Sequence, residues 1–303
     1  MTFVGKILDS DAYFSFRSSP ATIIAAVMLL TMTVVAALAP VVAPYNPFDM
    51  AAVNLLDSEI PPVWSETGDA RFVLGTDVQG RDLLSSLMFG LRISLVVGVA
   101  SVFLSLVIGV SLGLVSGYFG GFVDAVIMRA ADVKLTFPAI LVALLVDGVA
   151  RGILGERGHE QFAVPVVIVS IGISGWVQYA RTVRGAVLVE RHKDYVNAAK
   201  LVKAKSGSIL LWHILPNVSG PVLVIATINL GLAVLTEATL SFLGVGVPSS
   251  YPSLGTLIRI GNEFLFSGLW WISIFPALVL VVLVLSVNVL GDWLRDVLNP
   301  KLR

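Results

Sequence analysis

The sequence has no cysteine among its 303 residues, which excludes disulfides, thiolate zinc sites, iron–sulfur clusters and thiol nucleophiles. Histidine is almost as scarce. His159, His192 and His213 are the three present, and no two of them share the spacing of a helical metal site, so no metal and no cofactor is expected. Charge is thin as well: 13% of residues are charged, 20 basic against 20 acidic, a balance that speaks against a nucleic-acid partner. No Gly-x-x-x-x-Gly-Lys-[Ser/Thr] loop is present to cradle nucleotide phosphates. The chain is expected to catalyse nothing itself.

What fills the space is apolar. Hydrophobic residues make up 56% of the chain and mean hydropathy is +0.91, the composition of a membrane protein whose partner is lipid. A helix needs about 20 largely apolar residues to cross the hydrocarbon core, and six segments meet that test: Ala21–Pro44, Ile93–Phe122, Asp124–Val146, Gln161–Ala180, Asn217–Thr236 and Trp270–Gly291. The third carries Asp124, Arg129, Asp132 and Lys134 in its first half, with Pro138 expected to bend it. Ala37-Leu38-Ala39 resembles a signal cleavage site, but the first apolar run is longer than a signal core, so an uncleaved anchor is expected. An all-α integral membrane protein with six transmembrane helices follows.

Six crossings put both termini on one side, and the positive-inside rule says which. With the termini cytoplasmic, thirteen Lys and Arg residues lie inside (Lys6, Arg17, Arg129, Arg181, Arg184, Arg191, Lys193, Lys200, Lys203, Lys205, Arg295, Lys301 and Arg303) and five outside (Arg71, Arg81, Arg151, Arg157 and Arg259). The expected organisation is an inner tail 1–20, a first span 21–44, an outer loop 45–91, a helical core 92–292 containing an inner loop 190–217, and an inner tail 293–303. Gly244–Ser267, broken by glycine and proline, is a second outer segment. Thr76, Asp77, Gly80, Arg81 and Asp82 in the first outer loop read as a turn whose two aspartates bond backbone amides. Gly109, Gly113 and Gly117 recur every four residues and mark a face for close helix packing within the chain. Asp124, Arg129 and Asp132 read as an ion network at the inner end of the third span, and Glu237, at the outer end of the fifth, as a cap or salt bridge.

The inner loop is the least membrane-like stretch: "DYVNAAKLVKAKSGSILLWHILPN", Asp194–Asn217. Asp194 at the start and Lys200, Lys203 and Lys205 at the end suit the dipole of a short helix. Tyr195, Ala198, Ala199 and Val202 are expected on one face, and Ser206-Gly207 is expected to end the helix before an apolar turn runs into Leu215 and Pro216. A helix so short is marginal alone. Its face either rests on the membrane surface or is gripped by another protein, for which the small, flat Ala198 and Ala199 are suited.

This stretch resembles the cytoplasmic signature of ATP-binding-cassette importer permeases, Glu-Ala-Ala, three residues, Gly, nine residues, Ile-x-Leu-Pro. Asn197, Ala198 and Ala199 occupy the first part and His213-Ile214-Leu215-Pro216-Asn217 the last, while Asn197 replaces the usual Glu and Lys203 the usual Gly, with Gly207 near enough to supply a bend. The segments Leu74–Gly98, Gly117–Leu144, Glu237–Pro248 and Val287–Arg303 resemble the dipeptide, oligopeptide and nickel permease family, C-type subunit. That resemblance implies the type I importer permease fold in a bacterial inner membrane. It also implies a heterodimer with a homologous B-type permease subunit, two ATPases docked on the inner loop, and an extracytoplasmic binding protein. The residues it assigns to ATPase coupling are Asp194, Tyr195, Asn197, Ala198, Ala199, Val202, Lys203, Gly207, Leu215 and Pro216. Peptide is the expected substrate, with nickel chelates, opines or sugars as family alternatives. An ion-coupled transporter is disfavoured because the central parts of five spans carry no ionisable residue.

Overall fold

A computed structural model describes residues 11–49 and 53–298. Lys6, Lys301 and Arg303 lie outside them, as do the side chains of Arg157 and His159. In chain order the helices are α1 (Asp11–Ser18), α2 (Pro20–Val42), α3 (Leu83–Phe119), α4 (Gly121–Thr136), α5 (Ala139–Glu190), α6 (Asp194–Leu201), α7 (Leu215–Phe242), α8 (Leu254–Phe264) and α9 (Trp271–Leu298). No strand occurs among the described residues, only one isolated bridge between Thr76 and Asp82.

The helices begin where the sequence supplies a side-chain acceptor. Ser19 accepts from the Thr22 amide ahead of Pro20, Asp82 from Ser85 and Ser253 from Thr256, each satisfying a donor that the first turn leaves open. At about 1.5 Å per residue, the 37 residues of α3 make a helix longer than the bilayer core is thick. Five helical segments are long and apolar enough to cross a membrane: Pro20–Val42, Leu83–Phe119, Glu160–Glu190, Ser206–Phe242 and Trp271–Val297. The expected third span is the exception. Its two halves, α4 and the first part of α5 as far as Gly155, meet at 94°. Phe137, which precedes a proline, is forced into extended backbone (φ −98°, ψ 128°), and Gly155 at φ 67° then separates this arm from the membrane-length part of α5.

Of the four apolar clusters among the described residues, the two largest lie toward opposite ends of the bundle. The outer one joins Leu83, Leu87 and Leu91 to Val234, Leu254, Leu257, Ile272 and Leu283. The inner one joins Val110 and Leu114 to Tyr179, Val183, Val187, Val218 and Val222. Within the inner core the glycine stripe lets α3 and α5 approach to backbone contact: a Cβ on Gly109 would lie 2.4 Å from the Trp176 carbonyl oxygen, on Gly113 2.6 Å from that of Ala180, and on Gly117 2.7 Å from Val187 Cβ. Without a hydrophobic drive in lipid, such contact is what dispersion needs to bind helices.

Both outer segments meet at one end, as one side of a membrane requires. The Arg81 guanidinium donates to the Ser249 carbonyl (3.3 Å), the Trp271 indole to that of Thr76 (3.1 Å), and Phe48 packs on Tyr251. Asp77 accepts from the amides of Gln79 and Arg81 and pairs with the Arg81 guanidinium at 2.7 Å, while Asp82 caps α3. Glu237 is fully buried here, and its partners are hydroxyls instead of a cation: Ser94 donates at 2.8 Å and Ser241 at 2.7 Å. Ser94 in turn accepts from the Leu254 amide and Ser241 from that of Val247, so one carboxylate ties α3, α7 and the second outer segment together. The inner ion network also differs from expectation. Asp124 and Asp132 pair with Arg184 and Arg181 across on α5, because α4 lies along that helix and presents its acids to it rather than to Arg129.

Gly113→Ala is expected to destabilise the detergent-solubilised chain by about 1–3 kcal/mol, the usual cost of overpacking, read as a lowered melting temperature. Gly148→Ala, where a Cβ meets nothing within 4 Å, is the control; equal melting of the two would refute the close approach.

Candidate functional site

The cytoplasmic end is built around the turn from α5 to α7. Glu190, the last residue of α5, accepts from Lys193 Nζ (2.7 Å) and from the Tyr195 hydroxyl (2.6 Å), and Asn217 on α7 reaches that same hydroxyl at 3.4 Å. Burial, then the Glu190 carboxylate, pushes the Tyr195 phenol up to about 12, so it keeps its proton and donates throughout the neutral range. The exit of one span and the entry of the next are therefore tied through α6. Arg191 adds a bond to the Gly117 carbonyl at the end of α3 (3.0 Å), and the Lys200 ammonium lies 5.7 Å from the Tyr118 ring centre.

The helix α6 ends earlier than expected and by a different residue. Lys203 adopts φ 56°, its amide donates to the Lys200 carbonyl, and the Ala204 amide reaches back to Ala199 (3.1 Å). These are the two bonds of a Schellman cap, with Lys203 at the left-handed position that usually takes glycine. Gly207 makes no bend: Ser206–Ser208 already begins the helical run that passes through a π turn, Ile209–Ile214, into α7. Leu215 and Pro216 lie inside that run at the start of α7.

The faces of α6 also differ from the expected set. Val196 and Ala199 are buried against the inner core with Ile209 and Ile214, and Tyr195 is partly buried. Asp194, Asn197, Ala198 and Lys203 face solvent, with Leu201 84% and Val202 79% exposed. Tyr195, Ala198, Ala199 and Val202 thus split between two faces. Ala199 looks inward because the Val196–Ala199 pair, three residues apart, is the stripe that covers the core. Glu190 and Arg191 were not singled out from sequence; a carboxylate five residues before a tyrosine, at the end of a span, is the only local hint of the first.

Midway along α3, α5 and α7 lies a cavity of about 250 Å³. Ser101 and Ser105 of α3, Ser174 and Gln178 of α5, and Asn229 and Thr236 of α7 give it a polar lining, and Lys134 of α4 is its one charged wall residue. The Ser101 hydroxyl is buried and makes no hydrogen bond. An ammonium at a helix centre costs roughly 2.5–3.5 kcal/mol on insertion scales, so its position beside a polar cavity sets it apart from the paired ions of the inner end. The sequence signal was a cation inside a span with no acid three or four residues away.

Comparison with known proteins places this geometry. Residues 109–303 match the family model described as binding-protein-dependent transport system inner membrane component, and residues 10–62 match the N-terminal TM domain of oligopeptide transport permease C. The chain is 36% identical over 303 residues, all of its length and 98% of the relative's, to the dipeptide transport system permease protein DppC of Haemophilus influenzae. The chain belongs to the inner-membrane permease family of binding-protein-dependent transport systems. The permease is also 37% identical to the di/tripeptide transport system permease protein DppC of Pseudomonas aeruginosa, covering 95% of this chain and 91% of that one. With the oligopeptide transport system permease protein OppC of Bacillus subtilis identity is again 37%, over 98% and 90%. An inward-facing structure of the MetNI methionine ABC transporter matches its fold with a TM-score of 0.53 at 20% identity, covering 71% of this chain and 96% of that one. The permease is accordingly a multi-pass protein of the bacterial inner membrane with the type I importer fold, a transport subunit that works with ATPase and other subunits.

Two outcomes test the inner element. Tyr195→Phe removes a hydrogen bond to a carboxylate, worth about 1.5 kcal/mol, and is expected to speed hydrogen exchange of the α6 amides roughly tenfold; unchanged exchange would show that the tie carries nothing. Lys203→Gly relieves about 1–2 kcal/mol of left-handed strain against about 0.4–1 kcal/mol of added unfolded-chain freedom. A small rise in melting temperature is expected, and a fall would contradict the cap.

Proposed function

We propose that this permease is the C-type half of a peptide importer, paired with a homologous B-type permease subunit, driven by two ATP-binding-cassette ATPases and supplied by an extracytoplasmic substrate-binding protein. The observation that carries the reading is α6 itself: one face is locked into the inner core through Val196 and Ala199, and the other offers Ala198, Leu201 and Val202 to solvent. A short helix held on one side and bare on the other transmits what grips it. Peptide as substrate is supported by full-length relatives named for dipeptide, di/tripeptide and oligopeptide transport.

In this mechanism, ATP-driven closure of the two ATPases draws the 190–217 element inward. Because Glu190, Tyr195 and Asn217 tie the ends of α5 and α7 to it, both spans rock together and the central cavity opens to the outside; hydrolysis reverses the motion. Asp194, Asn197, Ala198, Val202 and Lys203 are the docking positions, and Tyr195, Ala199, Leu215 and Pro216 hold them in place, with Gly207 on the adjoining turn.

The two alanines separate docking from folding. In a reconstituted importer, Ala198→Arg is expected to cut substrate-stimulated ATP hydrolysis at least tenfold while helix content and melting stay normal. Ala199→Arg buries an unpaired charge and is expected to destabilise the permease itself by several kcal/mol. Normal stimulation in the Ala198 variant would refute the docking surface.

A further inference from the structure

We propose that Lys134 receives the C-terminal carboxylate of the transported peptide in the central cavity. The inference rests on the peptide reading and goes beyond it, to the chemistry that the cavity selects. Of the residues lining this space, Lys134 alone is charged and none is acidic, so the site complements an anion and has no carboxylate to pair with an ammonium. The cations of α5 nearest in sequence to the cavity wall, Arg181 and Arg184, are taken by Asp132 and Asp124. The Lys134 ammonium has no ion pair or hydrogen bond among the described residues, and the residue is partly buried.

The second observation is independent of charge. The Ser101 hydroxyl, fully buried in the same wall, is left without a partner, whereas Ser105, Ser174 and Thr236 bond carbonyls of the helices. A buried hydroxyl without a partner is uncommon unless something else supplies one. Asn229 on α7 and Gln178 on α5 add amides to the same lining. Together these groups suit what every peptide shares: a terminal carboxylate for the ammonium, and main-chain carbonyls and amides for the uncharged donors and acceptors. A space of about 250 Å³ falls below the roughly 300–1,000 Å³ of sites that enclose a drug-sized ligand, so it fits the end of a peptide and leaves the rest to continue beyond this chain. Recognition of that kind reads the terminus and ignores side chains.

The test uses the complete importer in proteoliposomes, with its partner permease, ATPases and binding protein, and radiolabelled alanyl-alanine as probe. Lys134→Met is expected to lower uptake about tenfold or more, as loss of a charge-assisted contact does, and Lys134→Arg to restore most of it. Uptake by the Met variant equal to wild type would overturn the inference. Folding of each variant is checked by melting, and wild-type importer gives a measurement free of that concern: alanyl-photo-leucine, whose diazirine lies beside the terminal carboxylate, is expected to label the cavity segments 101–105, 129–139, 171–178 or 229–236. Labelling only elsewhere in the complex would also overturn it. A wild-type importer that moves another solute but no alanyl-alanine would instead defeat the peptide reading on which the inference stands.

Discussion

The packing of Val196, Ala199, Ile209 and Ile214 beneath Val183, Val187 and Val218 makes a cytoplasmic loop into part of the membrane bundle. Eight residues of α6 form too short a helix to persist in water by themselves. Seated on the inner core, capped by Lys203 and tied by Tyr195 to Glu190 and Asn217, they become a rigid extension of α5 and α7. Force applied at Ala198 or Leu201 then has somewhere to go.

The same economy governs the polar groups of the bundle. Where backbone comes close, glycine removes the side chain; where a carboxylate is buried, hydroxyls or a guanidinium complete it. Glu237 joins three segments at the outer end, and Asp124 with Arg184 joins two at the inner end. Between these satisfied sites lies a space whose lining contains an unbonded hydroxyl and an unpaired ammonium. An apolar bundle that places an unbonded hydroxyl and an unpaired ammonium around one central space has polarity there for something that passes through.

Much of this architecture was legible along the chain. Five of the six expected spans correspond to helices long enough to cross, and the two outer segments meet at one end. The bend of the third span at Phe137-Pro138 was legible from its proline and its size of 94° was not, because periodicity reports which residues are apolar and says little about the angle between two halves. The Lys203 bend was harder to see. Lysine is a poor choice for a left-handed residue, and only the hydrogen bonds from Ala204 to Ala199 and from Lys203 to Lys200 make the conformation pay its way.

By itself the sequence determined that the chain is membrane-embedded and helical, which side is cytoplasmic and which loop stands apart, since lipid enforces long apolar runs and the charge asymmetry of the loops orients them. The resemblance carried by its motifs pointed to an importer permease. Only the tertiary structure decided that Ala198 is outside and Ala199 inside, that Asp124 belongs to Arg184, and that Lys134 borders a cavity. Each of those depends on which helix lies against which face, and residues fifty or a hundred positions apart come together through packing that no local pattern encodes.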